Sequence, residues 1–75
     1  MDKEDISQRL ALTEESIARG ERHLAQQRKL IEDLRRDGHR TTEAEQPLQM
    51  LEDAQALHIV ERDRLRATLA KLNEL

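Results

Sequence analysis

Residues of the kind that face inward on a packed helix recur through the first half of the chain at alternating spacings of four and three. The series is Ile6, Leu10, Thr13, Ile17, Gly20, Leu24, Gln27, Ile31 and Leu34. A repeat with this spacing aligns one stripe of side chains along a helix, as in a coiled coil. The pattern predicts one long helix over about residues 2–37 that packs against another helix.

The second half of the chain has a similar repeat, separated from the first by a helix stop. Gly38 can adopt the left-handed backbone conformation that ends many helices, so a turn is predicted over residues 38–41. A second helix is expected over about residues 42–74. Its inward series is Leu48, Leu51, Gln55, His58, Arg62, Leu65, Leu69 and Leu72.

The start of the second helix is less regular than the rest. Thr42 is the predicted N-cap, with Glu45 as the reciprocal member of a capping box. Pro47 lacks a backbone N–H and crowds the preceding turn. Either the first turn is kinked, or the regular helix begins near Pro47.

These elements predict an all-α fold, a coiled-coil-like antiparallel two-helix hairpin that forms one domain over residues 1–75. Folding the chain about its turn places opposite each other residues whose numbers sum to about 80. This register brings together three pairs of opposite charge: Arg28 with Glu52, Arg35 with Glu45, and Glu14 with Arg66. Charge pairs beside a seam select the orientation of helices, so they support the hairpin independently of the apolar repeat.

The middle of the predicted seam is polar. Its members are Gly20, Gln27, Gln55, His58 and Arg62. Glycine inside a helix costs about 1 kcal/mol relative to alanine, so Gly20 needs a local reason. In the predicted register Gly20 lies opposite His58 and Ile59, and the missing side chain leaves room for the imidazole or for the backbone of a partner helix. We interpret this layer as a determinant of packing specificity, which polar seam residues often provide.

A chain of 75 residues without Phe, Trp or Tyr has a small core, and domains of this size are marginally stable alone. Several apolar residues also lie off the seam: Met50, Leu57 and Val60 on the second helix, and Ala11, Ala18 and Ala25 on the first. The pattern favours a homodimer that forms a four-helix bundle through these residues. The alternative for the alanines is that they are merely exposed.

The sequence offers little for catalysis, so no catalytic, cofactor-binding or metal-binding residue is assigned and an enzyme is not expected. There is no Cys, which excludes thiolate chemistry and Cys-ligated zinc. The histidines form neither a His-x-x-x-His nor a Glu-x-x-His pair, the spacings that helical metal sites use. His58 has Glu61 one turn later, but a structural, hydrogen-bonded histidine is the favoured interpretation. No glycine-rich phosphate loop is present. Phosphotransfer at His58 is a distant alternative, because it requires an exposed imidazole whereas the register places His58 on the seam.

Nucleic-acid binding is the main alternative function. Arg22, Lys29 and Arg36 repeat every seven residues on the outer face of the first helix, and a small helical-hairpin dimer could bind RNA or DNA through such a face. The formal net charge of -3 argues against it. No apolar run could span a bilayer, and the first residues are acidic and polar, so a cytoplasmic location without membrane association is expected.

The segments Gly20-Glu21-Arg22-His23, Gln27-Arg28 and Gly38-His39-Arg40-Thr41-Thr42-Glu43-Ala44 resemble those of short uncharacterised bacterial helical-hairpin proteins. The resemblance covers about residues 17–66, and Pro47 departs from it. It implies the hairpin fold and transfers no functional residue. The sequence therefore predicts a non-enzymatic, self-associating interaction or regulatory module, with an unidentified protein as a further candidate partner.

Overall fold

The computed structural model describes residues 2–75, and over these residues the regular structure is entirely α-helical. Helix α1 spans Lys3–Arg36 and helix α2 spans Thr42–Asn73. The two helices pack against each other as an elongated hairpin with dimensions of 59 × 15 × 14 Å. The all-α two-helix hairpin is confirmed, and each helix begins and ends within one residue of the predicted boundary.

Helix α1 is capped at both ends by local hydrogen bonds. The carboxylate of Asp2 accepts a bond of 2.9 Å from the backbone N–H of Asp5, as expected for an N-cap. Gly38 has φ 80°, in the left-handed region. The N–H of Gly38 bonds to the carbonyl of Arg35, and the N–H of His39 bonds to that of Leu34. This pair of bonds is a Schellman motif, which ends α1 and turns the chain.

Helix α2 starts differently from the prediction. Its N-cap is Thr41 rather than Thr42, so the expected capping box is wrong. The carboxylate of Glu45 instead accepts a bond of 3.1 Å from the Thr41 hydroxyl, and Arg35 lies 3.7 Å from the same oxygen. Glu45 therefore pairs with Thr41 and Arg35 instead of capping Thr42, and only the folded turn brings Arg35 near it.

Pro47 lies inside α2, and the helix continues through it from Thr42. Of the two alternatives for this segment, a regular helix that begins near Pro47 is therefore wrong. Pro47 and Glu43 are both exposed, and the carbonyl of Glu43 has no amide partner at position 47. A water molecule can satisfy a carbonyl in that position, which is why the helix tolerates the ring.

Replacing Pro47 with Ala is expected to stabilise the hairpin by about 1–2 kcal/mol. The change restores one helix hydrogen bond and removes the ring clash, although the unfolded chain gains some freedom. For a chain of this size the melting temperature should rise by about 4–16 °C. Gln46→Ala, at the exposed neighbouring position, is the matched control and should change it little. An unchanged or lower melting temperature for Pro47→Ala would contradict this account.

The inward face of α1 follows the predicted repeat throughout. Its buried members are Ile6, Ile17, Leu24 and Ile31, and its half-buried members are Leu10, Thr13, Gly20, Gln27 and Leu34. On α2 the buried residues are Gln55 and Leu65, and the half-buried residues include Leu48, Leu51, Arg62, Leu69 and Leu72. The core therefore runs as a single stripe along the whole hairpin.

His58 departs from the predicted seam. Its side chain is exposed, while the adjacent Ile59 is half-buried. Ile59 lies four residues after Gln55 and three before Arg62, so either position can follow a helix stripe of about 3.6 residues per turn. Burying an isoleucine is favourable and burying an imidazole is not, so the helix turns Ile59 inward.

The register also differs at the centre. Two of the predicted ion pairs form, Arg35 with Glu45 and Arg66 with Glu14, each at 3.7 Å. Arg28 and Glu52 do not form the third.

At the seam itself, however, Gly20 faces Gln55 rather than His58. Their numbers sum to about 75 rather than 80, about one helical turn away from the prediction. Long charged side chains reach diagonally across the edge of a hairpin, so the ion pairs alone give a register offset from that of the core.

Candidate interaction surface

The two open sides of the hairpin have different characters. One side carries the ion pairs Arg35–Glu45 and Glu14–Arg66, and we call it the ion-pair flank. The other side has a shallow central groove between the helices, and we call it the groove flank. The groove has a volume of about 200 Å³ and is lined by Ser16, Arg19, Gly20, His23, Leu51, Ala54, Gln55 and His58.

The groove exists because two small residues meet at the middle of the hairpin. Gly20 on α1 and Ala54 on α2 leave space that larger side chains would fill. A Cβ atom placed on Gly20 would lie 2.1 Å from Oε1 of Gln55 and 2.9 Å from its Cδ. Both distances are far below van der Waals contact. Gly20 is therefore required for the approach of Gln55, not of His58 as the sequence predicted.

Gln55 is held in this position by a bond across the hairpin. Its Nε2 donates to the backbone carbonyl of Ile17 at 2.9 Å, and the side chain is 7% exposed. Its Oε1 is buried without a hydrogen-bond partner and lies against the open side of the Gly20 α-carbon. The α-carbon hydrogens there can form weak contacts with the oxygen.

A second glutamine makes the reciprocal bond. Nε2 of Gln27, on α1, donates to the carbonyl of Ala44, on α2, at 2.7 Å. Each carbonyl belongs to a helix and has a second lone pair available for this bond. Because each glutamine ties its own helix to the backbone of the other, the two bonds define the offset between the helices. Sequence reasoning placed both glutamines on the seam but missed these acceptors.

The groove has an apolar floor and a polar rim. Arg19, His23 and His58 lie at the rim, and all three are exposed. Arg19 donates to the hydroxyl of Ser16 at 3.4 Å. Within residues 2–75, no three His, Asp or Glu side chains converge as metal ligands would. The exposure of His58 removes the steric objection to phosphotransfer, but no carboxylate within residues 2–75 forms an ion pair with its ring to orient it.

Large apolar side chains surround the groove. On α1, Leu12 is 64% exposed and Leu30 is 46% exposed; on α2, Met50 is 72% and Leu57 is 71% exposed. Leu12 lies four residues before Ser16, and Leu30 lies seven after His23. Met50 and Leu57 lie four residues before and three after Ala54. Residues at these spacings share a helix side, so all four belong to the groove flank or its edge.

The remaining members of the predicted oligomer face lie elsewhere. Ala11, Ala18 and Ala25 are exposed on the outer side of α1, toward the ion-pair flank. Val60 is 58% exposed and lies about 60° further around α2 than Leu57, away from the groove. The structure therefore separates Met50 and Leu57 from the alanine column, because α1 and α2 place them on different sides of the hairpin.

The basic row on α1 is partly neutralised. Arg22, Lys29 and Arg36 are exposed, as a nucleic-acid face requires. Lys29 lies 3.4 Å from a carboxylate oxygen of Asp33, and Arg36 lies 3.0 Å from the other. A phosphate backbone would have to compete with Asp33 for two of the three basic groups. This arrangement weakens the case for nucleic-acid binding.

Any binding to duplex RNA or DNA is expected to be weak and strongly salt-dependent. The triple change of Arg22, Lys29 and Arg36 to Ala should reduce the slope of log affinity against log salt by about 3 units at most, one for each lost phosphate contact. Asp33→Asn, which frees Lys29 and Arg36, should instead strengthen binding. Fluorescence anisotropy with a labelled duplex measures both. Tight binding at physiological salt that survives the triple change would contradict this assignment.

No helix within residues 2–75 has the length and apolar character needed to cross a membrane. Comparison of the chain with protein-family models, curated proteins and solved structures gives no match. The resemblance to bacterial helical-hairpin proteins therefore stays a prediction.

Proposed function

We propose that this chain is a non-enzymatic helical interaction module that self-associates through the groove flank into a four-helix bundle. The observation that carries the proposal is the exposure of Leu12, Leu30, Met50 and Leu57 around one groove. Exposed apolar surface that is rimmed by polar residues commonly marks an interaction site. The opposite flank has ion pairs between charged side chains and is better suited to water.

The exposed area supports a large contact. The hairpin exposes 5891 Å². A compact monomer of 8.8 kDa would expose about 4,800 Å². The excess of about 1,100 Å² exceeds the roughly 800 Å² that each partner buries in a standard protein–protein interface. Pairing through one long flank would bring the area per chain close to that of a compact protein.

A regulatory role follows from the same architecture. The five buried apolar residues of the single hairpin are Ile6, Ile17, Leu24, Ile31 and Leu65. A core this small gives marginal stability, so folding and association are coupled. The amount of folded protein then depends on concentration and on any partner that competes for the groove flank.

Sedimentation equilibrium at micromolar concentration tests the proposal. A mass twice that of the chain is the expected result, and a monomer across the whole range would reject it. Affinity purification from the native cell, with and without nuclease, tests the alternative. Partners lost only after nuclease treatment would favour nucleic-acid binding through Arg22, Lys29 and Arg36.

A further inference from the structure

The exposed apolar residues of the groove flank are arranged symmetrically about the middle of the hairpin. Leu12 and Leu30 are 18 residues apart on α1, five full turns, so they project from the same side about 27 Å from each other. Their midpoint is at Glu21, next to Gly20. The central groove therefore lies halfway between the two leucines.

On α2 the groove also lies halfway between the two exposed apolar residues. Met50 and Leu57 are seven residues apart, about two turns, and their midpoint falls beside Ala54. Gly20 contacts Gln55 across the seam, so positions whose numbers sum to about 75 lie at one level. Glu21 and Ala54 satisfy this condition. Both apolar pairs are thus centred on one line across the hairpin, at the groove.

We infer that a second copy of this chain docks on the groove flank in antiparallel orientation, related by a two-fold axis that crosses both helices at the groove. This pairing rests on the self-association proposed above. In an isologous contact, the two-fold rotation makes residue i contact residue j of the second copy, and residue j contact residue i of the second copy. Leu12 therefore packs on Leu30 of the second copy, and Met50 packs on Leu57 of the second copy.

Charge complementarity supports this orientation. On α1 the axis pairs residues whose numbers sum to about 42. On α2 the sum is about 107, which sets Arg64 against Glu43 of the second copy. This pair has opposite signs and lies toward one end of the contact. Rim charges of this kind select orientation more than they add affinity.

The competing two-fold arrangement, in which the turns of both copies lie at the same end of the dimer, lacks this complementarity. It would place α1 against α2 of the second copy at equal levels. Three of the four apolar side chains would then meet a polar residue of this flank at nearly the same level: Leu57 against Arg19, Met50 against Gln26, and Leu12 against Arg64. Leaving polar groups against apolar ones without hydrogen bonds is unfavourable, so the antiparallel pairing is preferred.

The chain has no Cys, so single introduced thiols report the topology without interference. Chains carrying Leu12→Cys and chains carrying Leu30→Cys are mixed in denaturant, refolded together and oxidised. The mixed disulfide should form at least tenfold faster than either homodimeric disulfide, because like positions lie about 27 Å apart and a disulfide requires α-carbons within about 7 Å. Met50→Cys with Leu57→Cys provides a second pair on α2.

Ala18→Cys, an exposed position outside the groove flank, is the matched control and should cross-link slowly. Sedimentation of the same reduced samples separates the two proposals. A monomer would overturn the self-association itself. A dimer in which the Leu12→Cys and Leu30→Cys chains link no faster than each links to itself, or in which Ala18→Cys links fastest, would overturn the antiparallel groove pairing and leave self-association standing.

Discussion

Leu57→Glu is expected to convert the dimer into a monomer at micromolar concentration. Leu57 is 71% exposed in the single hairpin, and the proposed pairing buries it near the centre of the contact. A carboxylate buried there without a cationic partner is expected to cost about 3 kcal/mol or more. The dissociation constant should therefore rise at least about a hundredfold. Sedimentation equilibrium measures the loss of mass, and thermal melting should show a lower, less concentration-dependent transition.

Two matched changes locate the contact. Val60→Glu introduces the same charge at a similarly exposed apolar position on α2, but outside the groove flank. Ala18→Glu does so on the outer side of α1. Neither substitution should change the mass of the dimer in sedimentation equilibrium. A dimer that survives Leu57→Glu but dissociates with Ala18→Glu would place the contact on the alanine column and contradict the groove flank.

Gly20→Ala is expected to destabilise the hairpin by about 1–2 kcal/mol, although alanine favours helix by about 1 kcal/mol. The new Cβ would overlap Oε1 of Gln55, which lies 2.1 Å from that position. Gln55 must then rotate, and its bond to the carbonyl of Ile17 is lost inside the seam. A buried amide without its partner carries the desolvation penalty that outweighs the helix preference.

The same substitution should change sign when Gln55 is removed. In a Gln55→Ala background, Gly20→Ala meets no side chain and should stabilise by about 1 kcal/mol. The cycle gives a coupling of about 2–3 kcal/mol, measured by denaturant unfolding. Gly38→Ala is the control: Gly38 has φ 80° and no neighbour within 4 Å of an added Cβ, so its backbone strain should not depend on Gln55. Equal effects of Gly20→Ala in both backgrounds would show that Gln55 does not require the glycine.

On α1 the sequence predicted nearly everything that the structure contains. The repeat from Ile6 to Leu34 identified every buried position of the helix, and Gly38 marked its end. These features depend on contacts within four or five residues, where helix geometry fixes which side chains and amides are neighbours. Local sequence is sufficient for such features.

On α2 the prediction failed where two neighbouring residues competed for one role. His58 and Ile59 both fit the helical stripe, and Thr41 and Thr42 both fit the cap. The choice of Ile59 follows from burial against α1, and the choice of Thr41 accompanies the contact of Arg35 with Glu45. Each outcome depends on a residue from the other helix, which the local pattern does not include.

The candidate site was predictable in composition but not in arrangement. The sequence identified Gly20, Gln27 and Gln55 as polar members of the seam, and Met50 and Leu57 as apolar residues off it. Which residues they contact depends on the axial offset between the two helices, and the sequence pattern does not determine that offset. The predicted offset was wrong by about one turn. His58 was therefore predicted as the neighbour of Gly20, whereas the structure has Gln55 there.

By itself, the sequence determined two long helices, a turn at Gly38 and a seam with a polar middle, because these follow from the spacing of residues along one chain. The tertiary structure alone decided which residues meet across that seam. It also decided that the groove and the large apolar side chains share one flank while the ion pairs occupy the other. The physical reason is that spacing fixes the side of a helix on which a residue lies, whereas packing fixes the axial offset between two helices.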